Sequence, residues 1–280
     1  MNQALRASDI IKASEEKKMQ AVISVIRYLS SVDFAAPPPV ISEGVYSCIK
    51  KVLNNDDPYR EVKQKFTRIA FSYLPQLKKI IKESKNPIDT AVRLSLAGNV
   101  VDFGSQMEQF DVDDAINTSL SVTITLDDSR IFMEELKKAK NLLFVADNAG
   151  EIVFDKLLLQ TIKDTYPEIN IKMVGREAPI INDVTVDEMK AINMQNIGEI
   201  LSSGSAMPGL DISRCSEKCK KAFYNADIVI SKGQGNFETL SEVDDSRIYF
   251  LFIVKCSVIA RYMNLPLLSR VFSKKREWQN

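Results

Sequence analysis

Five apolar runs in the second half of the chain, spaced by helical patterns, constrain its fold more than any other feature. "NLLFVAD" (141–147) reads as a buried strand and is followed by a helical pattern over 151–165. "INIKMVGR" (169–176) is a second strand, followed by a loop and a helix over 185–193. "IGEILSS" (197–203) reads as a short strand, and "SEKCKKAFYNA" (216–226) as a helix leading into the strand "DIVISKG" (227–233). "RIYFLFIVKC" (247–256) is the last strand, with a short helix in "SVIARYM". Strands that alternate with helices imply right-handed crossovers and a parallel sheet covered on both faces.

The first part of the chain has a different period. Apolar residues at Leu5, Ile10, Ile11, Met19, Val22, Ile23, Val25 and Ile26 follow helical spacing. "AAPPPV" (35–40) breaks that pattern, because consecutive prolines cannot continue a helix. Helices are expected over 40–54, over 59–83, and from Asn86-Pro87 to near Gly104, with no strand before about residue 120. The fold class is therefore α/β: a helical region, 1–125, packed on a three-layer α/β/α sandwich with a mainly parallel sheet, 126–280.

Composition removes several chemistries. No histidine occurs, which excludes Ser-His-Asp and Cys-His catalysis and removes the commonest general base. Lys plus Arg and Asp plus Glu both number 37, so net charge gives no reason to expect a nucleic acid or a membrane. The basic Lys274-Lys275-Arg276 reads as a solvated tail. A zinc site would need Cys48, Cys215, Cys219 and Cys256 together, and free thiols in a reducing cytoplasm are the simpler reading. The polar N-terminus resembles no signal peptide, and no run of about 18 apolar residues suggests a membrane span. The expectation is a cytoplasmic protein of unspecified oligomeric state.

Chemistry is expected at the carboxyl edge of the sheet, where open α/β folds bind ligands. Asp147 and Asn148 end the first strand there, and the helix opening at Gly150 and Glu151 points its N-terminus at the same place. That arrangement suits a phosphate or a hard cation, but Asp or Asn before a helix is also a common N-cap. Asn182-Asp183 poses the same choice after the second strand. Lys232-Gly233-Gln234-Gly235-Asn236 ends a third strand as a phosphate-approaching loop or a plain turn. Lys255 ends the last strand, at the mouth of a site or reaching to solvent. Asn99 and Asp102, three apart in a helix, either lid the site or make interdomain hydrogen bonds, and Gly98 and Gly104 suggest close packing.

"RLSLAGNVVDFG", "VADNAGEIVFDKLL", "INDVT" and "ADIVISKGQGNFETL", in this order and spacing, resemble the DUF89 family of metal-dependent damage-control phosphatases, in its small prokaryotic type. The resemblance covers nearly the whole chain. It implies hydrolysis of phosphate esters of small metabolites with one divalent cation, Mg²⁺, Mn²⁺, Co²⁺ or Ni²⁺; attack by a water on that cation is the expected mechanism, and a phosphoaspartate at Asp147 stays open. By resemblance the cation and the catalysis fall to Asp147, Asn148 and Asp183. Substrate phosphate falls to Lys232, Gln234, Gly235, Asn236 and Lys255, with Gly150, Glu151, Asn99 and Asp102 around it. Many prokaryotic relatives carry a CxxC just before the position of Gln3-Ala4-Leu5; this sequence starts at Met1 without it, so its role is not carried over. Two other readings stay open: an S-adenosylmethionine-dependent methyltransferase, although "DNAGE" has one glycine where a glycine-rich turn is expected, and a non-catalytic metabolite-binding protein.

Overall fold

The computed structural model describes residues 1–36, 38–104 and 112–278, with the side chains of 100–104 excepted. The helical region holds α1 (Asn2–Ile10), α2 (Glu15–Leu29), α3 (Pro38–Leu53), α4 (Arg60–Glu83), α5 (Pro87–Gly104) and α6 (Val112–Ser121). Then come β1 (Leu126–Asp127), α7 (Ser129–Leu136), β2 (Asn141–Val145), α8 (Ile152–Thr165), β3 (Asn170–Gly175), α9 (Val186–Ala191) and β4 (Glu199–Ser202). The chain ends in α10 (Glu217–Asn225), β5 (Ile228–Lys232), α11 (Gly233–Leu240), β6 (Ile248–Ile253), α12 (Ser257–Met263) and β7 (Arg270–Lys274).

The seven strands form one sheet in the order β1-β7-β6-β5-β2-β3-β4. From β2 the chain runs outward through β3 to β4, then crosses back to β5 and continues to β6 on the other side. The order therefore reverses between β2 and β5, which pair in parallel with Val145 opposite Ser231. All neighbours among β2–β6 are parallel, and β7 runs antiparallel to β6.

Side chains alternate across the strands, as the period of two requires. Leu142, Phe144, Ile171, Met173, Ile228 and Ile230 enter the core against α4, α5 and α8, whereas Leu143, Val145, Val174 and Val229 enter the core against α10–α12. The first core also holds Leu77, Leu94 and Ile116, so α4–α6 share a core with the sheet. Helices α1–α3 have a core of their own around Ala21, Tyr46 and Ile49, which also takes in Ile180 from the α/β part. Gly98 lets α5 lie against α8: a Cβ there would stand 3.0 Å from Cβ of Phe154.

The expected mixed α/β architecture is found, and the five expected strands form. Several elements depart from expectation: helices α6 and α7 were not anticipated, and the helical pattern over 4–31 is broken into α1 and α2. The antiparallel β7 and the two-residue β1 were not anticipated, because a short strand against an edge is specified by its neighbour more than by its own pattern. "GQGN", read as a loop or turn, opens α11 instead. Two glycines give that segment poor helix propensity, and tertiary contacts of Asn236 override it. No described helix is long and apolar enough to cross a membrane.

Candidate functional site

The reversal of strand order between β2 and β5 leaves a crevice at their carboxyl ends. Asp147 and Asn148 follow β2 there. The segment after β3 folds back beside them: Val184 N–H donates to the Asp147 carbonyl at 2.8 Å, and Ala149 N–H donates to the Asn182 carbonyl at 2.9 Å. These bonds make Asn148 and Asp183 an antiparallel pair outside the sheet. The turn that delivers Asp183 is closed by its N–H bonding Ile180 O at 3.0 Å, with Ile181 at φ +46°. A β-branched residue in the left-handed region is strained, and such strain is tolerated where the surroundings over-determine it.

The bland reading of both segments as helix caps is not what forms. Glu151 occupies the N-cap position of α8, which has no side-chain cap. Helix α9 is capped by Thr185, in a reciprocal capping box with Glu188. The side chains of Asp147, Asn148 and Asp183 are left for something else, and all three are buried, at 8 %, 6 % and 4 % exposure. Asn148 Nδ2 donates to Asp147 Oδ2 at 2.8 Å and to Glu151 Oε2 at 3.3 Å, which orients the amide. Arg176 Nε donates to Asp183 Oδ2 at 2.8 Å.

Gly233 opens α11 against this cluster. Its φ is +77°, and a Cβ would lie 1.8 Å from Asp147 Oδ2, so both backbone conformation and space demand glycine. Asn236, one turn on, donates through Nδ2 to Ala146 O at 3.0 Å and to Lys232 O at 2.6 Å. Its Oδ1 accepts from Arg176 Nη2 at 3.1 Å. Asn236 thus stitches the ends of β2 and β5 to the arginine that holds Asp183.

Lys232 does not face the mouth of the site, contrary to the expected phosphate contact. It is fully buried, with Nζ 2.7 Å from Glu151 Oε1, 3.2 Å from Asp155 Oδ1 and 2.7 Å from Ser95 Oγ. Ser95 Oγ in turn donates to Asp155 at 2.5 Å. One lysine between two carboxylates leaves a surplus negative charge. Burial, opposed by Lys232 and reinforced by Glu151, pushes the Asp155 carboxyl up to about 7. Burial alone would lower the Lys232 ammonium, but Asp155 and Glu151 more than offset it and leave it raised.

Of the other expected substrate contacts, Asn99 also turns inward. Asn99 is fully buried, donates to Glu151 Oε2 at 2.9 Å, and accepts from Ile253 N–H at 3.3 Å. Gln234 accepts from Lys255 N–H at 3.0 Å and donates to Glu238 at 2.9 Å. Gly235 lies on α11, against Gly209. Gly150 is buried in the turn before α8. The Asp102 side chain lies outside the described residues. Lys255 is half-buried at the end of β6 and near enough to Asp147 to act on its charge.

Burial first, then the like charges of Glu151 and Asp183, push the Asp147 carboxyl well above its ordinary value, with Lys255 and Arg176 opposing. Asp183 is raised by burial too, against the pull of Arg176. The donor set is therefore two buried carboxylates and one amide oxygen, with no imidazole or thiolate. Among the described residues no three His, Cys, Asp or Glu side chains group as metal ligands; a cation at this edge would have Asp147, Asn148 and Asp183 as its protein donors, with water completing its shell. Hard oxygen donors fit Mg²⁺ or Mn²⁺ better than softer ions, and a positive ion would relieve the crowding of carboxylates. The chain's residues fit the expected cation.

Sequence reasoning missed Arg176, Asp155 and Ser95. Arg176 had a readable signal, an arginine closing a buried strand at the same edge as Asp147. Asp155 stands one helical turn past Glu151 on α8, and its role emerges only once α5 is packed on that helix.

The sequence profile of the damage-control phosphatase ARMT1-like domain matches residues 1–271. The chain is 34 % identical over 266 residues to a damage-control phosphatase of Pyrococcus horikoshii, covering 95 % of this chain and 91 % of that one. It is 31 % identical over 221 residues to a damage-control phosphatase of Archaeoglobus fulgidus, covering 78 % and 75 %. A crystal structure of a DUF89 family protein from Pyrococcus horikoshii superposes with a TM-score of 0.89 at 34 % identity, over 98 % of this chain and 95 % of that one. With its fold, its strand-edge cluster and its full-length match in agreement, the chain belongs to the damage-control phosphatase ARMT1-like family.

Proposed function

We propose that this chain is a divalent-cation-dependent phosphatase that hydrolyses phosphate monoesters of small metabolites. The observation that carries the reading is the pairing of Asn148 with Asp183 beside Asp147, three buried oxygen-bearing side chains that cap no helix. The names of the relatives, damage-control phosphatases, support the same reaction class.

Asp147, Asn148 and Asp183 would hold the cation. Bound there, it supplies charge neutralisation for a phosphoryl group and makes a water acidic enough to attack near neutral pH. The chain's own residues prepare the rest. Glu151 and Asp147 fix the Asn148 amide through its nitrogen, which turns its oxygen to the ligand side. Arg176 occupies Oδ2 of Asp183 and leaves Oδ1 for ligation. Lys255, at the end of β6, would offset charge on the transferring phosphoryl, a part expected of Lys232 and Lys255 together. Asp147 would also orient the attacking water or accept its proton, since its carboxylate stands at the cation position.

The test is phosphate release from a panel of phosphometabolites by metal-stripped protein, with Mg²⁺, Mn²⁺, Co²⁺ or Ni²⁺ added back. Release restored by a cation is expected, and Asp147→Ala and Asp183→Ala should each lower it by about a thousandfold or more. Full turnover in either variant would overturn the assignment. Tight binding of S-adenosylmethionine without phosphate release would favour the methyltransferase reading instead.

A further inference from the structure

A cavity of about 370 Å³ lies between the helical region and the site. That volume falls in the range of about 300–1,000 Å³ occupied by small-molecule sites. One wall is α1, with Arg6 and Ile10; the other is Tyr59 with Val62 and Phe66 of α4. Its inner end is formed by Gly150, two residues past Asn148, and by Asn182, which precedes Asp183. The cavity thus reaches the backbone of both segments that carry the proposed cation donors, and it is walled mainly by apolar and aromatic side chains.

The charges in its lining do not balance. Lys63 is buried and already paired, with Nζ 2.9 Å from Asp57 and 2.7 Å from Glu188. Asp9 is paired with Lys18 at 2.8 Å. Arg6 is exposed on α1, and among the described residues it makes no ion pair or hydrogen bond. A guanidinium lining an apolar cavity suits a planar anion such as a carboxylate, which it binds through two parallel N–H bonds.

We propose that the phosphate ester cleaved here has a leaving group with an apolar or aromatic body and a second, anionic group, which Arg6 holds while the phosphate sits at the Asp147–Asn148–Asp183 edge. This deepens the phosphatase reading and rests on it. In the reaction, water adds to phosphorus and the P–O bond to the body breaks. The bonding electron pair stays on the departing oxygen, which takes up a proton, and nothing is oxidised or reduced. Arg6 is a specificity-determining residue in this scheme, since it touches the far end of the leaving group.

The experiment compares kcat/KM of the cation-loaded protein for 4-carboxyphenyl phosphate and phenyl phosphate. The carboxylated ester should be favoured about tenfold or more, the scale of one charge-assisted pair. In Arg6→Ala that ratio should collapse to about one, with Arg6→Lys between. Equal kcat/KM for both esters in the unaltered protein would overturn the proposal, as would a ratio that survives Arg6→Ala. Calorimetry with 4-carboxybenzylphosphonate and benzylphosphonate separates this failure from failure of the phosphatase reading. A phosphonate preference that is lost in Arg6→Ala, without turnover of either ester, would keep the pocket and remove the reaction; no preference in binding would remove the pocket.

Discussion

Lys232 and Lys255 end neighbouring strands of one sheet, yet the protein uses them in opposite ways. Lys232, at the end of β5, is sealed between Glu151, Asp155 and Ser95 behind the site. Lys255, at the end of β6, is half-buried on the side of Asp147. Two lysines at adjacent strand ends look alike in a sequence. The difference is made by α5 and α8, which close over Lys232 and bring two carboxylates and a serine to one ammonium, while Lys255, just beyond β6, keeps part of its surface exposed. A buried ammonium without partners would be too costly to keep charged. Lys232 is therefore part of the frame, whereas Lys255 is the lysine we propose for chemistry.

The comparison breaks most visibly in stability. Lys232→Met would strand Glu151 and Asp155 in the interior, and unfolding by denaturant should report a loss of about 3–5 kcal/mol. Unfolding unchanged by that substitution would mean that the charge cluster is not the frame described here. Asp155→Asn tests the same cluster through pH. In the folded state the Asp155 carboxyl is pushed up to about 7, above the 3.8 of the free side chain. Between those values the folded protein holds a proton that the unfolded chain has released, so stability falls as pH rises through that window. The slope from one such group is at most about 1.4 kcal/mol per pH unit. The metal-free Asp155→Asn protein should show a flatter dependence between pH 4 and 7 than the unaltered protein, and an identical slope would count against the raised carboxyl.

Lys255→Ala carries the smallest expected effect on the fold. Its unfolding curve should stay within about 0.5 kcal/mol of the unaltered protein. Its kcat/KM for phosphate esters should drop about tenfold, from loss of one cation near the phosphoryl. If Lys255→Ala unfolds as easily as Lys232→Met, the division between frame and mouth is wrong.

How far each feature was legible follows from the range over which it is determined. The five parallel strands were readable because each is buried on both faces and shows a continuous apolar run. Asp147, Asn148 and Asp183 were readable as candidates, since they end strands at the edge where open sheets bind ligands. Whether they capped helices was not readable. That depended on Glu151 and Thr185 taking the N-cap positions, a matter of one to three residues in phase. The inward turn of Lys232, Asn99 and Asn236 was hidden for a different reason. Their partners lie far along the chain, from Ser95 to Lys232 and from Arg176 to Asn236, and no local pattern records such distances. Helix α11 was hidden by its own glycines, one of which is needed for contact with Asp147 and not for a turn.

The two backbone bonds that join the segment after β2 to the one after β3 have a consequence for amide exchange. The N–H groups of Ala149 and Val184 sit in loops, where exchange with solvent is ordinarily fast. Here each is closed against a carbonyl of the other segment, so neither loop opens without the other. Both amides should exchange with deuterium at the slow rate of the sheet interior, and should do so before any cation is added. The donor loops then behave as an extra rung of the sheet, so ligand binding at this edge finds its backbone already ordered.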